Sequence, residues 1–280
     1  MGLRGLGPWD VPGAGLIRRH GLASRNGEGQ SAPTPMKNRI TSLVALVASL
    51  VAVSAATNYA IQPVLHPGTE KRHESFNVIS KQGEAQLVFL GDSITHGWDG
   101  KGKAVWEKTW APLKAANFGI GGDRTEHVLW RLENGNFDGL KPKEIVLMIG
   151  TNNTGHQGRA QKELNGAVYA CTAEQTAEGI KAIIAKLQQK CPDAKILVLA
   201  IFPRGANKDD KFRQQNEATN AIVKGFADDK KVFFLDVGAK FLAADGTLPK
   251  SIMPDLLHPN AEGYQIWSDA MEAKVKELLK

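Results

Sequence analysis

The chain has 280 residues, 42% hydrophobic and 23% charged, a composition that excludes a collagen-like or wholly disordered protein and suits one large α/β domain or two small ones. Its formal net charge of +6 is spread unevenly: residues 1–35 hold +2, Lys37 and Arg39 add +2, and all later residues together hold +2. A near-balanced domain gives no electrostatic case for nucleic acid, and no internal repeat is visible.

Residues 1–35 are rich in Gly, Arg, Pro and Ser without an apolar period, so no packed structure is expected there. A short basic head, Met36-Lys37-Asn38-Arg39, then precedes an uncharged run from Ile40 to Ala56 that ends in the small residues Val53-Ser54-Ala55-Ala56. That is the layout of a secretory signal peptide cleaved near Ala55. On this reading Met36 is the natural start, 36–56 is the signal peptide, and the protein is exported to a periplasm or outside the cell. An uncleaved N-terminal anchor stays open as the alternative, but the strongly apolar part is short for a bilayer span, so no stable membrane span is expected.

Residues 57–84 read as a linker, 63–69, and a lead-in helix, 73–81. From there apolar runs alternate with amphipathic segments: strands at 86–91, 116–120, 144–150, 195–202 and 231–236, and helices at 103–114, 123–132, 172–189, 211–227 and 260–279. Near-continuous apolar strands alternating with amphipathic helices mean a mostly parallel sheet buried on both faces. The expected fold is therefore α/β, a three-layer αβα domain on a five-stranded sheet.

In such a sheet, ligands bind at the carboxyl ends of the strands. The first strand ends in Gly91-Asp92-Ser93, the second in Gly119-Ile120-Gly121-Gly122-Asp123, the third in Gly150-Thr151-Asn152-Asn153, and a later loop carries Asp255-Leu256-Leu257-His258. Each block alone has a bland reading as a turn or a helix cap. Together they supply what serine acyl transfer needs: Ser93 as nucleophile, His258 as base and Asp255 to orient it. The backbone amides of Ser93 and Gly122 and the side-chain amide of Asn152 are candidate donors to an oxyanion.

These blocks resemble the GDSL/SGNH hydrolase family over about residues 72–280. The runs 117–123 and 127–135 look like its catalytic subunits of platelet-activating-factor acetylhydrolase 1b. The resemblance implies a flavodoxin-like hydrolase domain at 85–280 and the same assignment of Ser93, Asp255 and His258 to the triad and of Ser93, Gly122 and Asn152 to the oxyanion hole. It also implies a metal-free enzyme acting on short-chain acyl esters, acetyl above all. An insertion at about 157–171 and the export layout depart from the acetylhydrolase pattern. Acetylated polysaccharide is thus an expected substrate beside a phospholipid, acetylated or lyso. A non-catalytic carbohydrate- or protein-binding module is the reading from another class.

No cofactor is expected. Gly119-Ile120-Gly121 fails as a dinucleotide loop because the third glycine of that fingerprint would fall at Arg124. His96, His127 and His156 show no recognised metal spacing and read as surface or packing residues. The polar middle of the insertion, with Arg159, Lys162, Glu163 and Asn165, reads as an exposed lid that carries substrate selectivity. Cys171 and Cys191 flank a helix of about 27 Å, too long for a bridge, so two free thiols are expected. A homodimer stays open.

Overall fold

A computed structural model describes residues 57–280; the signal-peptide reading of 36–56 and the reading of 1–35 lie outside the described residues. Five parallel strands, β1 (Leu87–Gly91), β2 (Ala115–Gly119), β3 (Glu144–Met148), β4 (Lys195–Leu199) and β5 (Val232–Leu235), form one sheet in the order β2-β1-β3-β4-β5. This is a doubly wound order whose switch point lies between β1 and β3, where the chain leaves the sheet in opposite directions and opens a crevice.

Each strand lies on an apolar run whose alternate residues feed two cores. One face of the sheet (Val88, Leu90, Ile145, Leu147, Ile196) packs on α1 (Glu70–Gln82), α4 (Thr125–Glu133) and α6 (Ala173–Lys190), with Phe76, Val128, Leu132, Ile183 and Leu187 buried. The opposite face (Phe89, Val146, Met148, Leu197) packs on α3 (Lys103–Thr109) and on α8 (Ala261–Leu278), which buries Trp267, Met271 and Val275. Burying side chains of this size contributes about 1.5–3 kcal/mol each, so both faces of the sheet are held as expected. α7 (Lys211–Val223) completes the first layer, and the short α2 (Ser93–His96) and α5 (Thr151–Gly155) open directly after β1 and β3.

The differences from expectation have local causes. The 123–132 helix starts two residues late, because Asp123 closes a turn by donating its N–H to the Ile120 carbonyl at 3.2 Å. The 103–114 helix stops at Thr109, and Pro112 sits in a separate 3₁₀ turn, Ala111–Leu113. The lead-in helix begins at Glu70, and the stretch read as a linker is bonded to the domain: Val64 N–H donates to the Glu126 carbonyl at 3.3 Å.

The insertion folds into a small antiparallel hairpin with a bridge between Ala160 and Val168, turning through Asn165 (φ +55°) and Gly166 (φ +80°). Arg159, Lys162 and Asn165 are exposed as expected. Glu163 is not: its side chain is 9% exposed because it pairs with the buried Arg124. Both cysteines are free and buried, and burial pushes each thiol up, Cys191 to about 11.

Candidate active site

Register brings the functional residues to one rim. Gly91 pairs with Gly119 on one side and with Met148 on the other, so three neighbouring strands end at the same level. The segments that follow therefore meet, and a Cβ built on Gly121 would lie 3.8 Å from the Ser93 Cβ.

Ser93 is the first residue of α2, whose N-cap Asp92 accepts the Ile94 N–H at 2.9 Å. Asp92 is 1% exposed, and burial, reinforced by the nearby Asp123, pushes its carboxyl up to about 7. The cap thus fixes the turn that presents Ser93. α8 holds the same turn from below, Tyr264 Oη donating to the Ile94 carbonyl at 2.6 Å.

Ser93 Oγ lies 2.9 Å from His258 Nε2, and His258 Nδ1 lies 2.6 Å from Asp255 Oδ2. The other Asp255 oxygen accepts the backbone N–H of His258 at 2.7 Å and of Leu257 at 3.1 Å. Partial burial alone would raise the Asp255 carboxyl, but the hydrogen bonds from the His258 ring and from these backbone amides hold it below its ordinary value. The arrangement can pass a proton from a serine hydroxyl to an imidazole whose tautomer is fixed by a carboxylate.

Beside Ser93, Gly122 takes φ +83°, and its N–H has no partner among the described residues. Asn152 lies in the first turn of α5 and donates one Nδ2–H to the Asp123 carbonyl at 2.9 Å, which leaves the second N–H of that amide. The next residue, Asn153, is fully buried and does a different job: it bonds Thr125 and the Tyr169 hydroxyl, joining α4 to the insertion. All five residues singled out in the sequence thus stand on the same rim.

Around them runs a buried polar shell. Arg124, 1% exposed, donates to Glu126 at 2.5 Å, to Gln161 and His156 at 2.8 Å each, and to Glu163. Burial and the adjacent Arg124 push His156 down to about 4, which keeps it a neutral acceptor. The His127 Nδ1 accepts the Arg124 backbone N–H at 3.1 Å, and the His96 Nδ1 accepts the Gly121 N–H at 3.3 Å. These three histidines support the rim by hydrogen bonding, in line with their packing reading.

His66 was not legible as part of the site. Its ring stacks on His127 with centroids 4.5 Å apart, and its Nδ1 lies 2.8 Å from Asp123 Oδ1. His66, Asp123 and His127 each bring a ligand atom within 4.8 Å of the others, enough to raise the question of a metal. A cation there would compete with the Arg131 guanidinium, 2.9 Å from Asp123, and would have to displace the bonds that His127 and His66 already make. The donor set is committed to holding the turn.

Residues 89–266 match the model of the GDSL-like Lipase/Acylhydrolase family. The chain is 38% identical over 213 residues to the human platelet-activating factor acetylhydrolase IB subunit alpha1, covering 74% of this chain and 82% of that one. It is 36% identical over 210 residues to the rat subunit alpha2, covering 75% and 84%. Among solved structures, a GDSL-like lipase from Bacteroides thetaiotaomicron shares the fold at 19% identity and a TM-score of 0.58, covering 74% of this chain and 97% of that one. An acetylxylan esterase from Geobacillus stearothermophilus shares it at 20% identity and a TM-score of 0.53, covering 71% and 96%.

Proposed function

The chain belongs to the GDSL-like lipase/acylhydrolase family and is an acylhydrolase, and on that premise we propose that it hydrolyses short acyl esters, acetyl above all, through a triad of Ser93, His258 and Asp255. Ser93 Oγ attacks the ester carbonyl while His258 Nε2 takes its proton, and Asp255 stabilises the imidazolium that forms. The Ser93 and Gly122 backbone amides and the free Asn152 N–H stabilise the negative oxygen of the tetrahedral intermediate. His258 then returns the proton to the leaving alcohol. Water attacks the acyl-serine by the same route, releasing the acid and restoring Ser93.

The observation that carries this reading is the unbroken relay from Ser93 Oγ through His258 to Asp255, at 2.9 Å and 2.6 Å. A binding module needs no such relay. The acetyl preference is supported by the names of the curated relatives, which are acetylhydrolases. The alcohol side is assigned to acetylated polysaccharide, because the export layout of 36–56 would place the enzyme with extracellular polymers and the hairpin at 157–171 departs from the acetylhydrolase pattern.

Two measurements test this. Ser93→Ala and His258→Ala should each lower p-nitrophenyl acetate hydrolysis at least about a thousandfold, since residues that act as a unit fail together; either variant keeping a tenth of the rate overturns the triad. A comparison of acetylated xylan with an acetylated phospholipid should then give the higher kcat/KM on xylan. The reverse order would assign the lipid substrate instead.

A further inference from the structure

The oxyanion donors proposed above depend on one hub, Asp123. Its N–H closes the turn onto Ile120 at 3.2 Å and its carbonyl accepts Asn152 Nδ2 at 2.9 Å, so the residue ties Gly122 to Asn152. Its carboxylate is fully buried and faces two cations or N–H donors, Arg131 at 2.9 Å from one oxygen and His66 Nδ1 at 2.8 Å from the other.

We propose that His66 is a positioning residue for this site, holding the Gly122 turn in place through Asp123. Three observations converge. The imidazole lies directly against the turn, since a Cβ built on Gly122 would come within 2.9 Å of His66 Cε1. Gly122 has φ +83°, a conformation that a glycine holds only if its surroundings fix it, because glycine is otherwise the least restrained residue. His66 is itself fixed: it stacks on His127 with the rings 16° apart, and its carbonyl accepts the Thr69 hydroxyl at 2.7 Å. His66 Nδ1 stands in donor position to the Asp123 side chain at 2.8 Å. Removing that donor leaves a buried carboxylate oxygen unmatched beside the donor turn, and such a group moves toward water.

His66 lies outside residues 89–266, so the segment N-terminal to the matched domain contributes to the site. The inference rests on the reading of Gly122 and Asn152 as oxyanion donors.

The test separates the hydrogen bond from the stack. His66→Phe keeps a ring on His127 and loses the donor; His66→Asn keeps an N–H at the Nδ1 position and loses the ring. With p-nitrophenyl acetate, H66F should lose about tenfold or more in kcat with KM changed less than about twofold, a fraction of what losing a donor outright costs. H66N should retain most of the wild-type kcat. The rate at which an organophosphonate inactivates each variant should follow kcat, because its phosphoryl oxygen occupies the same pocket. Wild-type kcat in H66F, or loss in H66N with retention in H66F, overturns the inference. Loss in both variants that tracks a fall in Tm overturns it too, since that is a structural role alone. Should wild-type Ser93 take up no phosphonate, the esterase reading fails with it, whereas labelling of Ser93 together with full activity in H66F removes His66 alone.

Discussion

Asp255 reaches His258 across a three-residue step because Leu256, between them, takes φ +59°. A left-handed leucine costs roughly 1–2 kcal/mol, offset here by the two backbone N–H bonds that the Asp255 carboxylate accepts from Leu257 and His258. The strain therefore sits where the loop aims the imidazole at Ser93. Asn152 works at the same scale: its amide is divided between the Asp123 carbonyl and the site. Asn152→Ala should lower kcat about a hundredfold with little change in KM if the amide meets the oxyanion only in the transition state. An effect on KM alone would make Asn152 a substrate-binding group. Ser93, Gly122 and Asn152 are legible because each follows an apolar run that stops at Gly, Asn or Asp, and Asp255 with His258 because an acid stands three residues ahead of a histidine on one loop. His66 is not, since a lone histidine between Pro63 and Pro67 carries no period, and its partner Asp123 is 57 residues away.

Among the elements, all five strands and the long helices form where the apolar pattern puts them, because burial on both faces writes itself as continuous apolar runs, but several C-terminal ends fall short: β4 stops at Leu199 instead of 202 and α7 at Val223 instead of 227. The insertion was read by polarity, and that signal misled at Glu163. A charged residue is buried when a buried partner awaits it, and Arg124 stands 39 residues earlier, beyond the reach of any local pattern. The hydrogen bond from His127, with those from Arg124, holds the Glu163 carboxyl far below its ordinary value. The hairpin is thus fastened two residues from Gly122, where it is placed to support that turn. Replacing residues 157–170 with a short glycine linker should lower stability by about 3 kcal/mol, the cost of removing one of the two carboxylate partners of the buried Arg124, and should reduce p-nitrophenyl acetate hydrolysis as well. Urea unfolding and a steady-state assay check both. A replacement with wild-type activity on the small ester would restore the lid reading.

At the scale of the whole molecule, stability carries a signature of one buried acid remote from the rim. Glu144, at the start of β3, is fully buried with neither carboxylate oxygen bonded among the described residues, and burial pushes its carboxyl up to about 9 against the partial relief of Lys195 and Lys274. The folded chain keeps this proton where the unfolded chain releases it. The stabilisation is complete below about pH 4.5 and is lost as pH rises toward 9, at up to about 1.4 kcal/mol per pH unit. Glu144→Gln removes the titration, so its Tm relative to wild type should climb between pH 5 and pH 9; parallel curves would mean that Glu144 is ionised in the fold.

The proposed chemistry turns on one atom, the Ser93 Oγ, 2.9 Å from His258 Nε2. Treating the protein with a fluorophosphonate and mapping the adduct by mass spectrometry tests that most directly, because only an activated serine reacts. One adduct per chain on the peptide containing Ser93, absent from Ser93→Ala and formed much more slowly in His258→Ala, is the predicted result. An unlabelled protein that still hydrolyses p-nitrophenyl acetate, or an adduct on another residue with Ser93→Ala fully active, would contradict it.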